Sequence, residues 1–231
     1  MAKPLTEQPL ARLRPLAPSE PMSESETPQS QLSTRPLSRI NPLPRERNLR
    51  ILDFDLETLA AGFADPNWVP QKITCAAWSW IGEDRVHSRI TGKGGFFNAK
   101  LRVSRLAPLI DAIAEADIVT GHNLIRFDLP VLNAELMRGG VEPLERLRVQ
   151  DTMKLPKSKG FKKGQDNLSG VLGTAADKQA MTWFEWDEAY EDRFWREVIS
   201  RCESDVIQHK QMRGKILDAG WGLKTIEWKA K

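Results

Sequence analysis

The first strong pattern of apolar positions along the chain is typical of β-strands. The stretch 50–57 predicts a buried strand, because it brings together four apolar, β-favouring side chains. Two further stretches, 72–81 and 86–91, predict a second and a third strand. The turn residues 82–84 between them indicate that these two strands pair as a hairpin. The apolar side chains of the first strand are Ile51, Leu52, Phe54 and Leu56.

From residue 104 onward the apolar period becomes helical. Leu106, Leu109 and Ile113 fall on one helical face together with Ile110. This pattern predicts a helix that begins near residue 104 and ends near Ala116.

The remaining pattern alternates between strands and helices. Asp128 is the expected N-cap of the middle helix, because a short acidic side chain accepts hydrogen bonds from the first backbone N–H groups. Three antiparallel strands followed by βαβ crossovers describe an α/β fold, a mixed sheet with helices on both faces. In order, we predict a strand at 117–121, a helix from Asp128 to Gly139, a last strand at 147–152, a short helix at 168–172 and a long helix at 192–215.

The first 48 residues differ in composition from the rest of the chain. They hold nine of the fifteen prolines and no aromatic residue. Such a segment cannot bury enough apolar surface to offset the entropy lost on ordering, so we expect residues 1–48 to be a disordered tail rich in Pro, Ser and Arg. A transit peptide is the competing interpretation, against which the glutamates and prolines argue. We therefore predict a tail at 1–48, a folded domain at 49–217 and a C-terminal extension at 218–231.

Overall composition narrows the class of protein only slightly. The 231 residues suit one domain of ordinary size plus additional segments, and the formal net charge of +3 indicates no overall basic field. Cys75 and Cys202 form neither a disulfide framework nor a CxxC zinc pair, and we expect reduced thiols in a cytoplasmic protein. No apolar run approaches about 18 residues, so we expect no membrane span.

Two carboxylates interrupt the first predicted strand. Side chains two positions apart on a strand point to the same face, so Asp55 and Glu57 are expected to emerge side by side. Two adjacent buried carboxylates repel each other and need a cation, for which a hard divalent ion such as Mg²⁺ or Mn²⁺ is suited. Two surface acids at a solvated strand end are the alternative. Asp53 lies two residues earlier on the same face and could replace Asp55 as the first acid.

Acidic motifs stand in a defined order along these elements. They are Asp55-x-Glu57, then Asn123-x-x-x-Phe127-Asp128, then Asp205 within the last predicted helix. This ordered set resembles the DEDD family of 3′–5′ exonucleases, which includes proofreading domains of DNA polymerases, RNase D and oligoribonuclease. Exonuclease-like proteins of phages and bacteria are similar as well. The resemblance covers most of residues 50–215 and implies the ribonuclease H-like fold.

The resemblance implies a site for two Mg²⁺ or Mn²⁺ ions. Phosphodiester cleavage places negative charge on phosphate oxygens and on the leaving 3′ oxygen. Two ions about 3.5–4 Å apart can stabilise both the attacking and the leaving oxygen. By resemblance, the ions are held by Asp55, Glu57, Asp128 and Asp205.

Other family positions imply contacts with a nucleic acid strand. Thr58 and Leu59 would meet the terminal nucleotide, and Asn123 and Phe127 would line the path of the strand. Independently of the resemblance, one loop is crowded with lysines, which indicates either a clamp on the phosphate backbone or a solvated loop. These lysines are Lys154, Lys157, Lys159, Lys162 and Lys163.

One part of the family's pattern is absent. Members of this kind carry Tyr four residues before the last acid or His five residues before it, and here those positions are Arg201 and Ser200. The identity of the general base is therefore open. Residues four apart on a helix share a face, so we expect Arg201 to lie beside Asp205. Because an arginine stays protonated, it cannot act as the base, and we expect it to pair with Asp205 or hold the scissile phosphate. His209 is expected to be a packing or surface residue, and His122 either supports the site or is structural.

These inferences combine into a prediction of function. We expect a metal-dependent 3′–5′ exonuclease that acts on single-stranded ends, DNA in preference to RNA, and releases nucleoside 5′-monophosphates. The alternatives are an RNA-trimming nuclease of the same fold and a catalytically weak module that binds nucleic acid or a polymerase. Retention of four acids favours the enzyme, whereas the missing Tyr or His favours the binding module. The expected partners are single-stranded DNA or 3′ ends, with RNA and a polymerase or other replication protein as alternatives.

Overall fold

The structure is a computed structural model, and it describes most of the chain after residue 48. The described residues are 49–59, 72–91, 98–155, 164–174, 182, 185, 188–189 and 194–230. Within them, six strands belong to one sheet: β1 (Ile51–Thr58), β2 (Ile73–Trp80), β3 (His87–Ile90), β4 (Ile118–Gly121), β5 (Arg146–Asp151) and β6 (Thr225–Lys229). The spatial order is β3-β2-β1-β4-β5-β6.

Strand directions agree with the predicted mixed sheet. β1 and β2 are antiparallel, as are β2 and β3, so the first half of the sheet is a meander. β4 is parallel to β1, and β5 is parallel to β4; the chain enters β4 from α1 and crosses from β4 to β5 through α2. β6 closes the other edge by pairing antiparallel with β5. The predicted α/β class with a mixed sheet is therefore confirmed.

Helices cover both faces of this sheet, as predicted. The described helices are α1 (Ala99–Glu115), α2 (Asp128–Arg138), α3 (Gln165–Leu172) and α4 (Trp195–Asp218), together with a short 3-10 helix (Thr152–Lys154). One face of β1 carries Leu52, Phe54 and Leu56, which pack in a buried cluster with residues of α1 and α2. On the opposite face, residues of β2 pack against α4 through a smaller apolar cluster. β1 thus has an apolar face toward α1 and α2, which leaves its other face to point toward α4.

Helix α1 begins five residues earlier than the sequence predicts. The side chain of Asn98 caps it by accepting a hydrogen bond from the N–H of Leu101. Arg102 lies in the added turn and is buried, because its Nε donates to the Glu135 carboxylate of α2 at 2.5 Å. Arg138 also pairs with Glu135, at 3.0 Å. Because Arg102 is charged, the periodicity of apolar residues does not mark it as buried, and the sequence pattern therefore misses this first turn of α1.

Two other boundaries differ from the sequence prediction. The prediction that 147–152 is the last strand is wrong, because the segment assigned to a C-terminal extension, 218–231, contributes β6 to the sheet. Trp228 of β6 is buried in the cluster beneath α1 and α2. The expectation that Asp128 caps α2 is also wrong: the N-cap is Phe127, and Asp128 is the first helical residue.

Some predictions fall outside the described residues. The tail at 1–48 and most of the lysine loop lie there, so the predicted disorder and the predicted backbone clamp stay predictions. Where the chain is described, no helix combines the length and the apolar character needed to cross a membrane.

Candidate metal centre

Three carboxylates from two elements converge on the face of the sheet that α4 covers. Asp55 and Glu57 stand two residues apart on β1, and Asp205 lies in α4. One oxygen from each lies within 4.8 Å of the others. We call these three residues the acid triad. The alternation of side chains along β1 explains the arrangement, since the intervening residue Leu56 points into the apolar core.

Arg201 lies against the acid triad from the preceding turn of α4. Its Nε is 3.2 Å from an oxygen of Asp205 and 3.3 Å from an oxygen of Glu57. This contact confirms the prediction that Arg201 lies beside Asp205. Burial disfavours the charge of Arg201, but the neighbouring Asp205 and Glu57 carboxylates outweigh that effect and raise its pKa. The arginine therefore supplies a permanent positive charge among the acids.

Electrostatic repulsion within the acid triad shows in the pKa of Glu57. Burial and the nearby charge of Asp205 raise this pKa to about 7, although Arg201 acts in the opposite direction. Burial and the neighbouring Asp205 carboxylate therefore disfavour the charged form of Glu57 more than Arg201 favours it. A site of this kind gains stability from a further cation.

Asp128 lies outside the acid triad but within electrostatic reach of it. Its carboxylate is buried and accepts a hydrogen bond from the backbone N–H of Leu56 at 3.1 Å. Burial raises its pKa to about 8; the Leu56 bond opposes the shift, and the charges of Asp151 and Glu57 add to it. Three of the four predicted acids, Asp55, Glu57 and Asp205, converge. The fourth, Asp128, accepts a hydrogen bond from the backbone of β1 at Leu56, the residue between Asp55 and Glu57.

The turn that leads into α2 is held by another buried acid. The carboxylate of Asp151 accepts hydrogen bonds from the N–H groups of Asn123 at 2.8 Å, Ile125 at 3.1 Å and Met153 at 2.9 Å. Asn123 has a positive φ of 69°, which an asparagine tolerates better than most residues. Gly121 is also required here, because a Cβ atom would stand 2.9 Å from the carbonyl oxygen of Phe54.

Other predicted substrate-binding residues lie around the same edge of the sheet. Thr58 and Leu59 are half-buried at the end of β1, where the N–H of Leu59 bonds to the carbonyl of Lys72 at 3.2 Å. Phe127 is half-buried in the turn before α2 and donates to the carbonyl of Asn123 at 3.0 Å. Lys154 is exposed at the end of the 3-10 helix. The remaining predicted residues lie outside the described part of the chain: Lys157, Lys159, Lys162 and Lys163.

A hydrogen-bonded set of side chains next to the acid triad was not foreseen. Nδ1 of His209 is 2.7 Å from an oxygen of Asp53, and Nε2 of the same ring is 3.1 Å from Oγ1 of Thr152. That oxygen is 2.9 Å from Nδ1 of His122. We call these four residues the polar network. Asp53 thus faces His209, although the sequence alone left it as an alternative to Asp55.

Part of the polar network was readable from spacing. Asp53 lies two residues before Asp55, so both side chains share a face of β1. His209 lies four residues after Asp205, so both share a face of α4. Thr152 gives no such signal, since its contacts join residues far apart in the chain.

The donors of the acid triad suit a hard divalent cation. Carboxylate oxygens are the ligands that Mg²⁺ and Mn²⁺ prefer, and three of them can approach one point here. After burial, the charge of Asp205 is the next contribution to the raised pKa of Glu57, and a cation between these carboxylates would oppose it. The acid triad is therefore a candidate metal site.

Comparisons with known proteins bear on the fold. No protein-family model and no curated protein matches the chain. Among solved structures, it is similar to the family B DNA polymerase from the hyperthermophilic archaeon Pyrobaculum calidifontis, with a TM-score of 0.54 and 19% identity. The match covers 74% of this chain and 25% of the polymerase, so the chain spans about a quarter of that protein. At this identity the likeness shows the fold alone, which is compatible with a ribonuclease H-like domain.

Proposed function

We propose that this chain is a metal-dependent 3′–5′ exonuclease that acts on single-stranded ends, DNA in preference to RNA, and releases nucleoside 5′-monophosphates. The observation that carries the proposal is the convergence of Asp55, Glu57 and Asp205 within 4.8 Å. They come from the first strand and the long C-terminal helix, in the order that the DEDD resemblance implies. The fold similarity to a DNA polymerase gives further support, because proofreading domains of polymerases belong to that family.

The chain supplies ligands for the proposed ions from three elements. The acid triad would hold them with oxygen ligands, and Asp128 of α2 is the fourth candidate ligand. Bound Mg²⁺ or Mn²⁺ would supply positive charge to the phosphate oxygens and to the leaving 3′ oxygen.

Arg201 has a separate role in this proposal. In the structure it pairs with Glu57 and Asp205. When cations and substrate bind, its guanidinium can donate to a phosphate oxygen, for which its fork of N–H groups is suited. The nucleic acid strand would be positioned by Thr58, Leu59, Asn123, Phe127 and the lysines of residues 154–163.

The test is cleavage of a labelled single-stranded 3′ end, as DNA and as RNA, with Mg²⁺, Mn²⁺ or a chelator. We expect cleavage only with a metal ion, and about a 100-fold or greater loss of rate for Asp55→Asn and Asp205→Asn, equal to about 2.7 kcal/mol or more. Glu203→Gln is the matched control, because Glu203 lies on the same helix but accepts a hydrogen bond from Ser88 on β3. Wild-type rates for either aspartate variant would contradict the site assignment.

A second candidate function is supported by Arg201. A cation that already pairs with two of the three acids favours a module that binds nucleic acid or a polymerase and cuts weakly. Single-turnover conditions with excess protein and Mn²⁺ distinguish the two functions. The binding module predicts retention of the labelled strand without cleavage, whereas the exonuclease predicts a ladder of shortened products.

A further inference from the structure

One buried carboxylate holds the turn in which the proposed function places a contact with the nucleic acid strand. Asp151 is the last residue of β5 and is only 3% exposed. One of its oxygens accepts hydrogen bonds from the N–H groups of Asn123 at 2.8 Å and Met153 at 2.9 Å. The other oxygen accepts from the N–H of Ile125 at 3.1 Å. The Met153 bond fixes the carboxylate to its own strand end, and the other two bonds fix the turn before α2 to the carboxylate.

The backbone of this turn needs such support at Asn123. Among the described residues, Asn123 is the one residue other than glycine with a positive φ, at 69°. This left-handed conformation is disfavoured for L-residues, so neighbouring contacts must hold it in place. The two N–H groups that donate to Asp151 lie on either side of Leu124, which is fully buried. Without the Asp151 acceptor, the backbone of Asn123 could relax toward a negative φ.

The acid at the start of α2 has anchors of its own. The Asp128 carboxylate accepts a hydrogen bond from the N–H of Leu56 on β1 at 3.1 Å. Leu129 and Leu132, on the same helix, are fully buried in the apolar cluster beneath α1 and α2. Loss of the Asp151 contacts should therefore move Asn123 much more than Asp128. A change at Asp151 is expected to alter the contact with the strand and to spare the candidate metal ligands.

The side chain of Asn123 has the chemistry to contact a nucleic acid. It is half-buried, and within the described part of the chain the hydrogen bonds of Asn123 use its backbone N–H and C=O groups. A side-chain amide donates through its NH₂ group and accepts through its oxygen, so it can bond to phosphate and sugar oxygens. The direction of this amide depends on the backbone conformation that Asp151 maintains.

We propose that Asp151 is a positioning residue for the nucleic acid strand, which keeps Asn123 in the left-handed conformation in which its amide contacts the strand. The inference rests on the strand contact at Asn123 that the proposed function includes. Asp151 makes and breaks no covalent bond in this role. It arranges the contact before the strand arrives, so it acts on binding and not on the chemical step.

The test is equilibrium binding of a labelled single-stranded oligonucleotide, measured by fluorescence anisotropy with Ca²⁺, a hard cation that also takes oxygen ligands. Asp151→Asn keeps the size of the side chain but replaces one accepting oxygen with an NH₂ group that cannot accept. We expect the Kd for the oligonucleotide to rise about tenfold, and the Kd for Mn²⁺ to stay within about twofold of wild type. In the cleavage assay, KM should rise about tenfold with kcat nearly unchanged.

Asp117→Asn is the matched control. Asp117 also accepts a backbone N–H, from Arg50 at 2.8 Å, but it precedes β4, whereas the turn with Asn123 follows that strand. We expect this variant to bind the oligonucleotide as tightly as the wild type. An equal loss of binding in Asp117→Asn and Asp151→Asn would reflect a general loss of structure and would refute the positioning role.

A double-mutant cycle shows whether Asp151 acts through Asn123. Asn123→Gly removes the amide, and glycine adopts a positive φ without strain. We expect the Kd for the oligonucleotide to rise about tenfold in each single variant and again only about tenfold in the double variant, because the same contact is lost in all three. A rise of about a hundredfold in the double variant would mean that the two residues act independently, contrary to the proposal.

A further measurement uses the wild type alone, in case Asp151→Asn does not fold. The oligonucleotide is added to nitrogen-labelled protein with Ca²⁺, and amide signals are followed by nuclear magnetic resonance. The backbone N–H signals of Asn123 and Ile125 and the side-chain NH₂ signal of Asn123 should shift on binding. An unchanged side-chain signal of Asn123 at saturation would overturn the proposal.

Binding and cleavage together separate this inference from the proposed function. If the wild type binds the oligonucleotide but cleaves none with Mg²⁺ or Mn²⁺, the nuclease function fails, and the binding data still test Asp151. If the wild type cleaves and folded Asp151→Asn keeps its KM and its Kd for the oligonucleotide, only the role of Asp151 fails. If the wild type neither binds nor cleaves, both fail. Melting temperatures show whether each variant is folded.

Discussion

Arg201 determines the electrostatic balance of the acid triad at the scale of a single residue. It pairs with Glu57 and Asp205, so a divalent ion that binds these carboxylates must displace or share those contacts. The arginine therefore competes with the ion for the same oxygens. At the same time its positive charge offsets part of the negative charge of the three carboxylates.

Replacing this arginine should strengthen metal binding. In Arg201→Gln, we expect the Kd for Mn²⁺ to fall about tenfold, equal to about 1.4 kcal/mol, because a competing positive charge is lost. The measurement is calorimetric titration of the metal-free protein with Mn²⁺. Arg196→Gln is the control, since Arg196 is exposed on the same helix. Weaker Mn²⁺ binding by Arg201→Gln would show that the arginine orients the ligands and does not compete.

The raised pKa of the buried Asp128 predicts how the stability of the protein depends on pH. Because its pKa rises from 3.8 to about 8 in the folded protein, the folded state holds a proton that the unfolded chain releases. The free energy of unfolding should therefore fall as pH rises from about 4 to 8. Asp128→Asn keeps an oxygen that can accept the hydrogen bond from the Leu56 N–H and removes the ionisation that lowers the free energy of unfolding. At pH 8 the variant should therefore melt several degrees above the wild type, since 1 kcal/mol corresponds to about 2–4 °C.

The measurement is thermal unfolding at pH 5 and pH 8 in the presence of a chelator. Glu57, with its pKa near 7, contributes in the same direction and remains in the variant, so a smaller pH dependence should persist. Identical melting curves of wild type and Asp128→Asn at pH 8 would contradict the raised pKa of Asp128.

At the scale of secondary structure elements, one buried ion pair joins α1 to α2. Arg102 and Glu135 are both almost fully buried, and Glu135 also pairs with the partly exposed Arg138. Arg102→Met should destabilise the protein by about 3 kcal/mol, because it removes the buried partner of a buried carboxylate. Arg102→Met combined with Glu135→Leu should recover most of that loss. Urea unfolding measures both effects.

An exposed ion pair gives the comparison for this experiment. Arg146 and Glu227 join β5 to β6 at 3.7 Å, and each side chain is about half exposed. Arg146→Met should cost less than about 1 kcal/mol. Equal losses for Arg102→Met and Arg146→Met would show that the buried pair has no special contribution.

The same ion pair explains why the sequence misplaces the start of α1. A pattern of apolar residues treats Arg102 as exposed, whereas a partner 33 residues away buries it. β6 was missed for a related reason, since four of its five residues are exposed or half-exposed and only Trp228 is buried. Long-range partners decide both cases, and a local pattern contains no information about them. The strands with several apolar residues, such as β1 and β2, were placed to within one residue.

The candidate site was also predicted only as far as local sequence patterns reach, because its long-range contacts leave no local signal. Asp55, Glu57 and Asp205 were found because strand alternation and the ordered motifs are visible in sequence. Asp128 was expected to cap its own helix, but its carboxylate bonds to the backbone of β1, 72 residues earlier. Thr152 has no local signature and acquires its contacts only when β4, β5 and α4 meet.

At the scale of the whole molecule, the composition of residues 1–48 leads to a prediction about truncation. A chain that starts at Asn48 should keep its melting temperature and its rate on a short oligonucleotide, because no candidate ligand precedes Asp55 except Asp53. Differential scanning calorimetry and the cleavage assay on both chains are the measurements. A large loss of both properties would show that the tail contributes to the folded domain.

Helix α4 presents side chains to the sheet at intervals of four residues. Arg201 pairs with Asp205 of the acid triad, His209 lies against Asp53, and Arg213 donates to the side chain of Gln150 at 2.9 Å. Each residue turns an α-helix by about 100°, so inserting or deleting one residue within 201–213 would rotate part of this series away from the sheet. Substitutions along α4 can therefore be selected one at a time, whereas changes in its length alter every later position at once. In directed evolution, active variants should therefore carry substitutions in this helix but no insertions or deletions.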